Sequence, residues 1–389
     1  MKYELYGDGV RDDYPAIQEL LDSGASEVVL PAPTKHYLIS KTLKIHGGQT
    51  LRLGMTARIR LTKMANCSMI EDCDFGTWKE NVVVDGGIWD MNHNEQDPNP
   101  WHFAGADGKS THDKLGSSQT NFTAYSQHLT QFPDVYTGFC MRFCRIKRFV
   151  LKNVTIVNPV TYGAQLGYVE NFLVENIRFD YTEGSPNKWN MDGIHMEGHC
   201  KDGILRNLQG ACHDDMVALT ADDGLYGPIR NILVDGIFAD GGHSAVRILS
   251  HGLPVENVRI CNVYGKFYSK VIGLTKYHGG EDERGVLRNI TIDNVVATSC
   301  AGTVGCVCPA SPRLIWVQKG VDVENLRIEH FRREEEYSSA PLLLIEQGAT
   351  VKRLRLKDIS QKNLTDKKVA FLQIDGEITD GVYEDLQEE

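Results

Sequence analysis

Asp192, the adjacent pair Asp214 and Asp215, and His243 are the residues of this chain whose types and spacing could do chemistry together. Carboxyl groups brought into contact cannot all ionise freely, so one keeps its proton to higher pH while another stays charged. A split of that kind suits cleavage of a glycosidic bond, where a carboxylic acid protonates the leaving oxygen and a carboxylate activates water. The same residue types also serve as turn aspartates or as calcium ligands. The choice depends on whether the fold stacks them at one edge.

A recurring phrase supplies that fold: "LKNVTI", "VENIRF", "LRNLQG", "VDGIFA", "ICNVYG", "IDNVVA", "IEHFRR" and "LKDISQ". The third position of each is Asn153, Asn176, Asn207, Gly236, Asn262, Asn294, His330 and Asp358. Gly, Asn, Asp and His are the residues that best tolerate a left-handed backbone. Each lies between short alternating runs rich in Val, Ile and Leu, which reads as strand, one-residue corner, strand. Successive corners are 23, 31, 29, 26, 32, 36 and 28 residues apart, a solenoid period with loops of variable length. The i, i+3, i+4 apolar spacing of helical repeats is missing. The expected fold is all-β, a parallel β-helix whose coils stack at about 4.8 Å.

Counting from the corners aligns the acids. Asp214 and Asp215 lie seven and eight residues after Asn207, and His243 lies seven after Gly236. Asp192 lies sixteen after Asn176, but its coil carries the extra loop "TEGSPNKW" of eight residues, so it too falls at position eight. Three consecutive coils thus bring four ionisable residues to one edge.

Residues 1–50 read as an N-terminal cap and the first strands of a single domain spanning 1–389. Asp13 is placed to cap a short helix with Pro15 in its first turn, Ile17, Leu20 and Leu21 on one face, and Gly24 at its end. That helix would cover the first coil, as solenoid ends require. Residues 92–136 break the pattern with a long polar insertion, read as a lid or subsite wall, a partner surface or a disordered segment, before the main coils of 140–389. A net charge of −11 excludes a phosphate-binding surface, and with it nucleic acid as a partner. No apolar run reaches membrane-spanning length, and the opening "MKYELYGDGV" has no apolar signal core. Cytoplasmic residence is expected, or secretion if a leader has been trimmed. The spacing of the ten cysteines fits neither a disulfide framework nor a zinc site, and points to a reducing compartment.

These residues resemble the family 28 glycoside hydrolases, the polygalacturonase family of right-handed, pectin-lyase-like parallel β-helices. "NMDG" (Asn190–Gly193) is similar to that family's NTDG block, and "HDDMVAL" (His213–Leu219) to its GDDCIAI block with His213 in place of Gly. "GGHSAVRILSHGLPVENVRI" from Gly241 resembles the block built around Gly-His-Gly. The resemblance implies Asp214 as general acid, Asp192 and Asp215 as the pair that holds and deprotonates water with inversion, and His243 as a tuning or sugar-contacting residue. It implies no metal and no organic cofactor.

One signature is rewritten. Where the family carries an Arg-Ile-Lys triplet that grips a galacturonate carboxylate, this chain reads "VIGLTKYH", with Gly273 and Thr275 in the basic positions. The literal "RIK" at Arg145–Lys147 precedes the aspartates and falls in the wrong coil. Arg247 shares strand parity with His243 and could supply the missing cation, as could Lys276; a bidentate Arg suits a uronate. Gln165, Asn190, Trp189 and Trp101 complete the substrate-binding candidates, the indoles as stacking faces for a pyranose. Alternation with Ile194 and Met196 directs His195 and Glu197 to solvent.

The expected function is an inverting glycosidase acting on a uronic-acid-containing or related oligo- or polysaccharide. The two loops near the site favour exo action, and the solenoid flank leaves room for a homo-oligomer. Two alternatives stay open. One is a lyase using aspartate-bound calcium and an Arg or Lys base; the other is a non-catalytic glycan-binding β-helix.

Overall fold

The structure, a computed structural model, describes residues 3–105, 108–109, 135–222, 224–277, 280–306 and 312–389. Parallel pairing begins with Glu27–Val29 against Thr50–Arg52 and continues to Thr350–Asn363 against Glu377–Glu388. Every strand pairing between these limits is parallel, and the chain forms the expected parallel β-helix. One column of side chains follows the register through Ala164, Ile194, Val217, Val246, Ile272 and Ile315, all with no solvent exposure. Inward-pointing Val, Ile and Leu stack on their own kind from coil to coil, which is the continuous core that repeat folds need.

All eight expected corners adopt positive φ, from +50° at Asp358 to +87° at Gly236. Their side chains add a ladder: Asn176 donates to Asn153 Oδ1, and Asn207 to Asn176 Oδ1, each at 3.1 Å. A second ladder, not expected from the phrase pattern, runs parallel to it. Asn231 donates to Asp202, Asn257 to Asn231, and Asn289 to Asn257, at 2.8 to 2.9 Å, and all four residues have positive φ. Each rung pairs a corner side chain with its counterpart one coil away, so the amide groups satisfy one another along the stack.

The helix at Tyr14–Asp22 covers the first coil with Ile17 and Leu21 buried, as expected. Asp13 has a different task from the one foreseen. It makes no side-chain cap; Oδ1 accepts the Tyr6 and Gly7 amides at 2.6 and 3.0 Å, and Oδ2 accepts the Leu38 amide at 3.1 Å. A buried carboxylate gains more from three donors of the surrounding chain than from one helix amide. Asp13 therefore clamps the N-terminal segment to the first coil.

Of the 92–136 insertion, 106–107 and 110–134 lie outside the described residues. Its first part turns through a short 3-10 helix at His93–Glu95 and docks on the loop before Asn190. There the Asn99 amide donates to Ser185 O at 3.0 Å, and its side chain donates to Trp189 O at 3.0 Å. No helix among the described residues is long and apolar enough to cross a membrane.

Candidate active site

The register delivers the acids to one place. Asp215, Ser244 and Lys270 are direct partners on three successive coils. Asp192 stands level with them one coil earlier, two residues before Ile194, whose partner Val217 is two residues after Asp215. Asp214 and His243 sit one step earlier on their strands, with His243 Nδ1 3.6 Å from Asp214 Oδ1. Asp214, Asp215, His243 and Arg247 line a cleft of about 450 Å³ together with Lys270, Tyr277, His102, Trp189 and Asn190.

The three carboxyls have different surroundings, and these decide their charge. Asp215 is buried, which opposes ionisation, yet Lys270 Nζ lies 3.1 Å from Oδ1 and Arg247 Nε 2.5 Å from Oδ2. Ser244 donates a short hydrogen bond to Oδ1 as well. The two cations prevail and hold this carboxyl well below the usual carboxylate range, so it is ionised. Asp192 is 2% exposed and sits behind it, its Oδ1 accepting the Asp215 amide at 3.2 Å. Burial first, and then the charge on Asp215, push its carboxyl up to about 8. Asp214 is raised well above the usual value by burial first, then by its neighbours Asp192 and Asp215. Its side chain is 29% exposed, so it is the proton-bearing acid open to the cleft. Burial pushes His243 down to about 3, helped by Lys270, and its imidazole is neutral at physiological pH.

A carboxyl with a raised folded-state value makes a stability signature of definite sign. Unfolded Asp192 loses its proton near pH ~3.9, whereas the folded protein keeps it to about 8. Stability therefore falls as pH rises through that interval. Asp192→Asn, which cannot ionise, is expected to match the wild type near pH 4 and to exceed it by a few kcal/mol at pH 8. Denaturant unfolding at the two pH values checks this.

Lys270 was not foreseen, although the count that aligned the aspartates reaches it: it lies eight residues after the Asn262 corner. It is 3% exposed. Gly273 makes room for it; a Cβ there would lie 2.7 Å from Lys270 Cε. His102 and Tyr277 were also missed. His102 comes from the insertion and contacts Asn190 Oδ1 through Nε2 at 2.9 Å, which sequence spacing cannot reveal. Tyr277 presents its ring 5.8 Å from the Arg247 guanidinium.

Several expectations need correction. Lys276 is outside the cleft: its ammonium donates to Gly280 O at 2.6 Å and its amide to Gln318 Oε1 at 2.8 Å. Gln165 faces neighbouring side chains instead of sugar, donating to Glu197 Oε1 at 2.7 Å and accepting from Arg142 Nε at 3.3 Å. Trp101 packs on Phe139, with its indole donating to Thr137 O at 3.0 Å. His195 and Glu197 point outward as alternation requires, yet both are fully buried, because their face is roofed over. Glu197 accepts the amide of Leu225, which itself packs in a cluster with Phe75, Trp101 and Val135. Trp189 and Asn190 do line the cleft, Trp189 with His102 at its edge and Phe103 stacked on it at 5.7 Å.

Asp214, Asp215 and His243 place donor atoms within 4.8 Å of one another, the spacing of a cation site. The donor set fits a metal poorly. Each oxygen of Asp215 already faces a cation, and a divalent ion would be repelled by both Lys270 and Arg247 at short range.

Neither a protein-family model nor a curated protein matches this sequence. Among solved structures the fold is that of the pectin-lyase-like β-helices. The chain is similar to the family 28 exopolygalacturonase of Yersinia enterocolitica, with a TM-score of 0.63 over 100% of this chain and 76% of that one at 14% identity. A hyperthermoactive exopolygalacturonase of Thermotoga maritima gives 0.60 over 97% and 89%, also at 14% identity. PfbA, a surface adhesin of Streptococcus pneumoniae, gives 0.50 over 98% and 92% at the same identity. At this identity the likeness is one of fold, shared by enzymes and adhesin alike.

Proposed function

We propose that this protein is a glycoside hydrolase of the polygalacturonase type, acting with inversion on a uronic-acid-containing oligo- or polysaccharide. Asp214 is the general acid that protonates the leaving oxygen. Asp215 and Asp192 hold and activate the attacking water from the other side of the bond. The observation that carries this reading is the charge arrangement: two cations, Arg247 and Lys270, share one ionised carboxylate, while the exposed acid beside them keeps its proton. Two cations placed at the cleft suit a sugar carboxylate, and Arg247 and Lys270 take the place of the rewritten family signature. His102, Trp189 and Asn190 wall the cleft beside Asp214, which supports exo action.

The test compares a uronide oligosaccharide with its carboxyl-reduced, neutral counterpart. The uronide is expected to be cleaved with kcat/KM about 100-fold higher or more, the value of a charge-assisted contact worth roughly 3 kcal/mol. Slow viscosity loss on the polymer, with monomer or dimer as product, is expected alongside it. Equal turnover of the two substrates would sink the uronide assignment, and rapid viscosity loss the exo one.

The adhesin-like fold of PfbA lends the non-catalytic reading some weight. It predicts glycan binding that survives Asp214→Asn with no turnover of any substrate.

A further inference from the structure

The strands that follow the corners carry a second hollow, on the same coils as the acids but around the next bend. Arg178, Gln209, Phe238 and Tyr264 are direct partners on four successive coils. Phe238 is 45% exposed, and its ring stacks on Tyr264 with centroids 5.3 Å apart and planes at 15°. The stack runs from coil to coil, so Tyr264 covers one face of the Phe238 ring and the other face turns toward the coil of Gln209. That coil has little side chain to fill the space, because Gly210 and Ala211 follow Gln209. Gly210 is held to glycine by its backbone: φ is +109°, and a Cβ would lie 2.0 Å from Phe179 O. The result is a notch of about 580 Å³ between Phe238 on one side and Arg178 and Asp180 on the other.

Its polar groups differ from those on the other outer faces. Elsewhere charges pair between coils, as Arg206 does with Glu175, Arg259 with Asp293 and Arg288 with Glu256. Arg178, Asp180, Gln209 and Asp240 line the notch and make no side-chain hydrogen bond or ion pair among the described residues. An aromatic face opposite unpaired carboxylate, amide and guanidinium groups matches a pyranose. The apolar side of the sugar lies on the ring, hydroxyls donate to the Asp180, Asp240 and Gln209 oxygens, and Arg178 donates to a hydroxyl or carboxylate oxygen. Size favours the same occupant. The volume is that of a small-ligand site. The exposed apolar strip of Phe238, Tyr264 and Val296 is one residue wide, far short of the ~800 Å² that each partner buries in a stable protein contact.

We propose that this notch is a second carbohydrate site, which holds a sugar residue of the polymer whose end enters the cleft; the choice of polymer rests on the hydrolase reading. Ala211 is three residues from Asp214, and Asp240 three from His243. The two sites are therefore no more than about 10 Å apart along the chain. A polymer long enough to reach both makes its second contact within the complex already formed, and is held more tightly for it. An oligosaccharide that only fills the cleft gains nothing.

Affinity electrophoresis through gels containing polygalacturonate tests this, with every protein carrying Asp214→Asn so that the polymer survives. Adding Phe238→Ala is expected to weaken retardation about 5- to 10-fold in apparent Kd, the worth of one aromatic contact. Asp180→Ala is the sharper variant, and its side chain lies on the surface where folding is not at stake. Removing a negative charge would tighten a merely electrostatic hold on a polyanion, whereas loss of a hydroxyl acceptor weakens binding, which is the expected result. In the active enzyme, both variants are expected to leave kcat/KM on a short uronide within about twofold of the wild type. Retardation unchanged by Phe238→Ala, or strengthened by Asp180→Ala, overturns the proposal. So does a fall in sedimenting mass on Phe238→Ala, which would mean that a second copy covers this face. If the wild type cleaves no glycan, the hydrolase reading fails, while the gels still decide whether the notch holds the polymer.

Discussion

Asp214→Asn is expected to lower kcat by about 100- to 10,000-fold on a uronide substrate with little change in KM or in unfolding temperature. The side chain keeps its shape and its place beside His243, and only the transferable proton is lost. The argument depends on charge state. A general acid must hold its proton at working pH, and of the cleft-facing groups Asp214 is the carboxyl whose surroundings make it do so. Asp215 is already ionised, and neutral His243 binds a proton only near pH 3. If Asp214→Asn turned over substrate at a rate near the wild type, the acid would have to be another group. Steady-state kinetics on the two proteins gives the answer.

Asp215→Asn should produce the largest loss of stability at the site, on the order of 3–5 kcal/mol. The substitution strips the counter-charge from Lys270 and Arg247, both nearly excluded from solvent, and leaves two like charges facing each other. A carboxyl whose folded value lies below its unfolded one stabilises the protein above pH ~4 and loses that contribution as pH falls through the folded value. The deficit of Asp215→Asn should therefore be full at pH 7 and shrink in strong acid. Adding Lys270→Met should recover part of it, because one of the stranded charges is removed. Denaturant unfolding at pH 7 that shows Asp215→Asn level with the wild type contradicts the buried ion triad.

Much of this was legible in the sequence because a β-helix is nearly one-dimensional. Its corners demand residues that accept a left-handed backbone, and the eight from Asn153 to Asp358 that the repeated phrase marks all take it. Counting from those corners placed Asp192 beside Asp215, and Asp214 beside His243, despite an eight-residue loop between coils. The same count carried one coil further reaches Lys270, so its omission was a failure to extend the register, not a lack of signal. Other misses have a different origin. His102 arrives on an insertion whose path no periodicity encodes. Alternation says that His195 points outward, but not that loops from distant coils cover it. Lys276 is near Lys270 in sequence, yet it lies just past the strand's end at Thr275, where its chain turns to Gly280. Period two fixes a side chain's direction within a strand and says nothing of it beyond.

The most direct test of the account follows a uronide oligosaccharide by proton NMR in the presence of a metal chelator, with wild type and Asp214→Asn side by side. The account predicts that the wild type releases a saturated uronide whose first-formed anomer is inverted, and that Asp214→Asn releases almost none. An unsaturated product, or silence with every uronide offered, would contradict it.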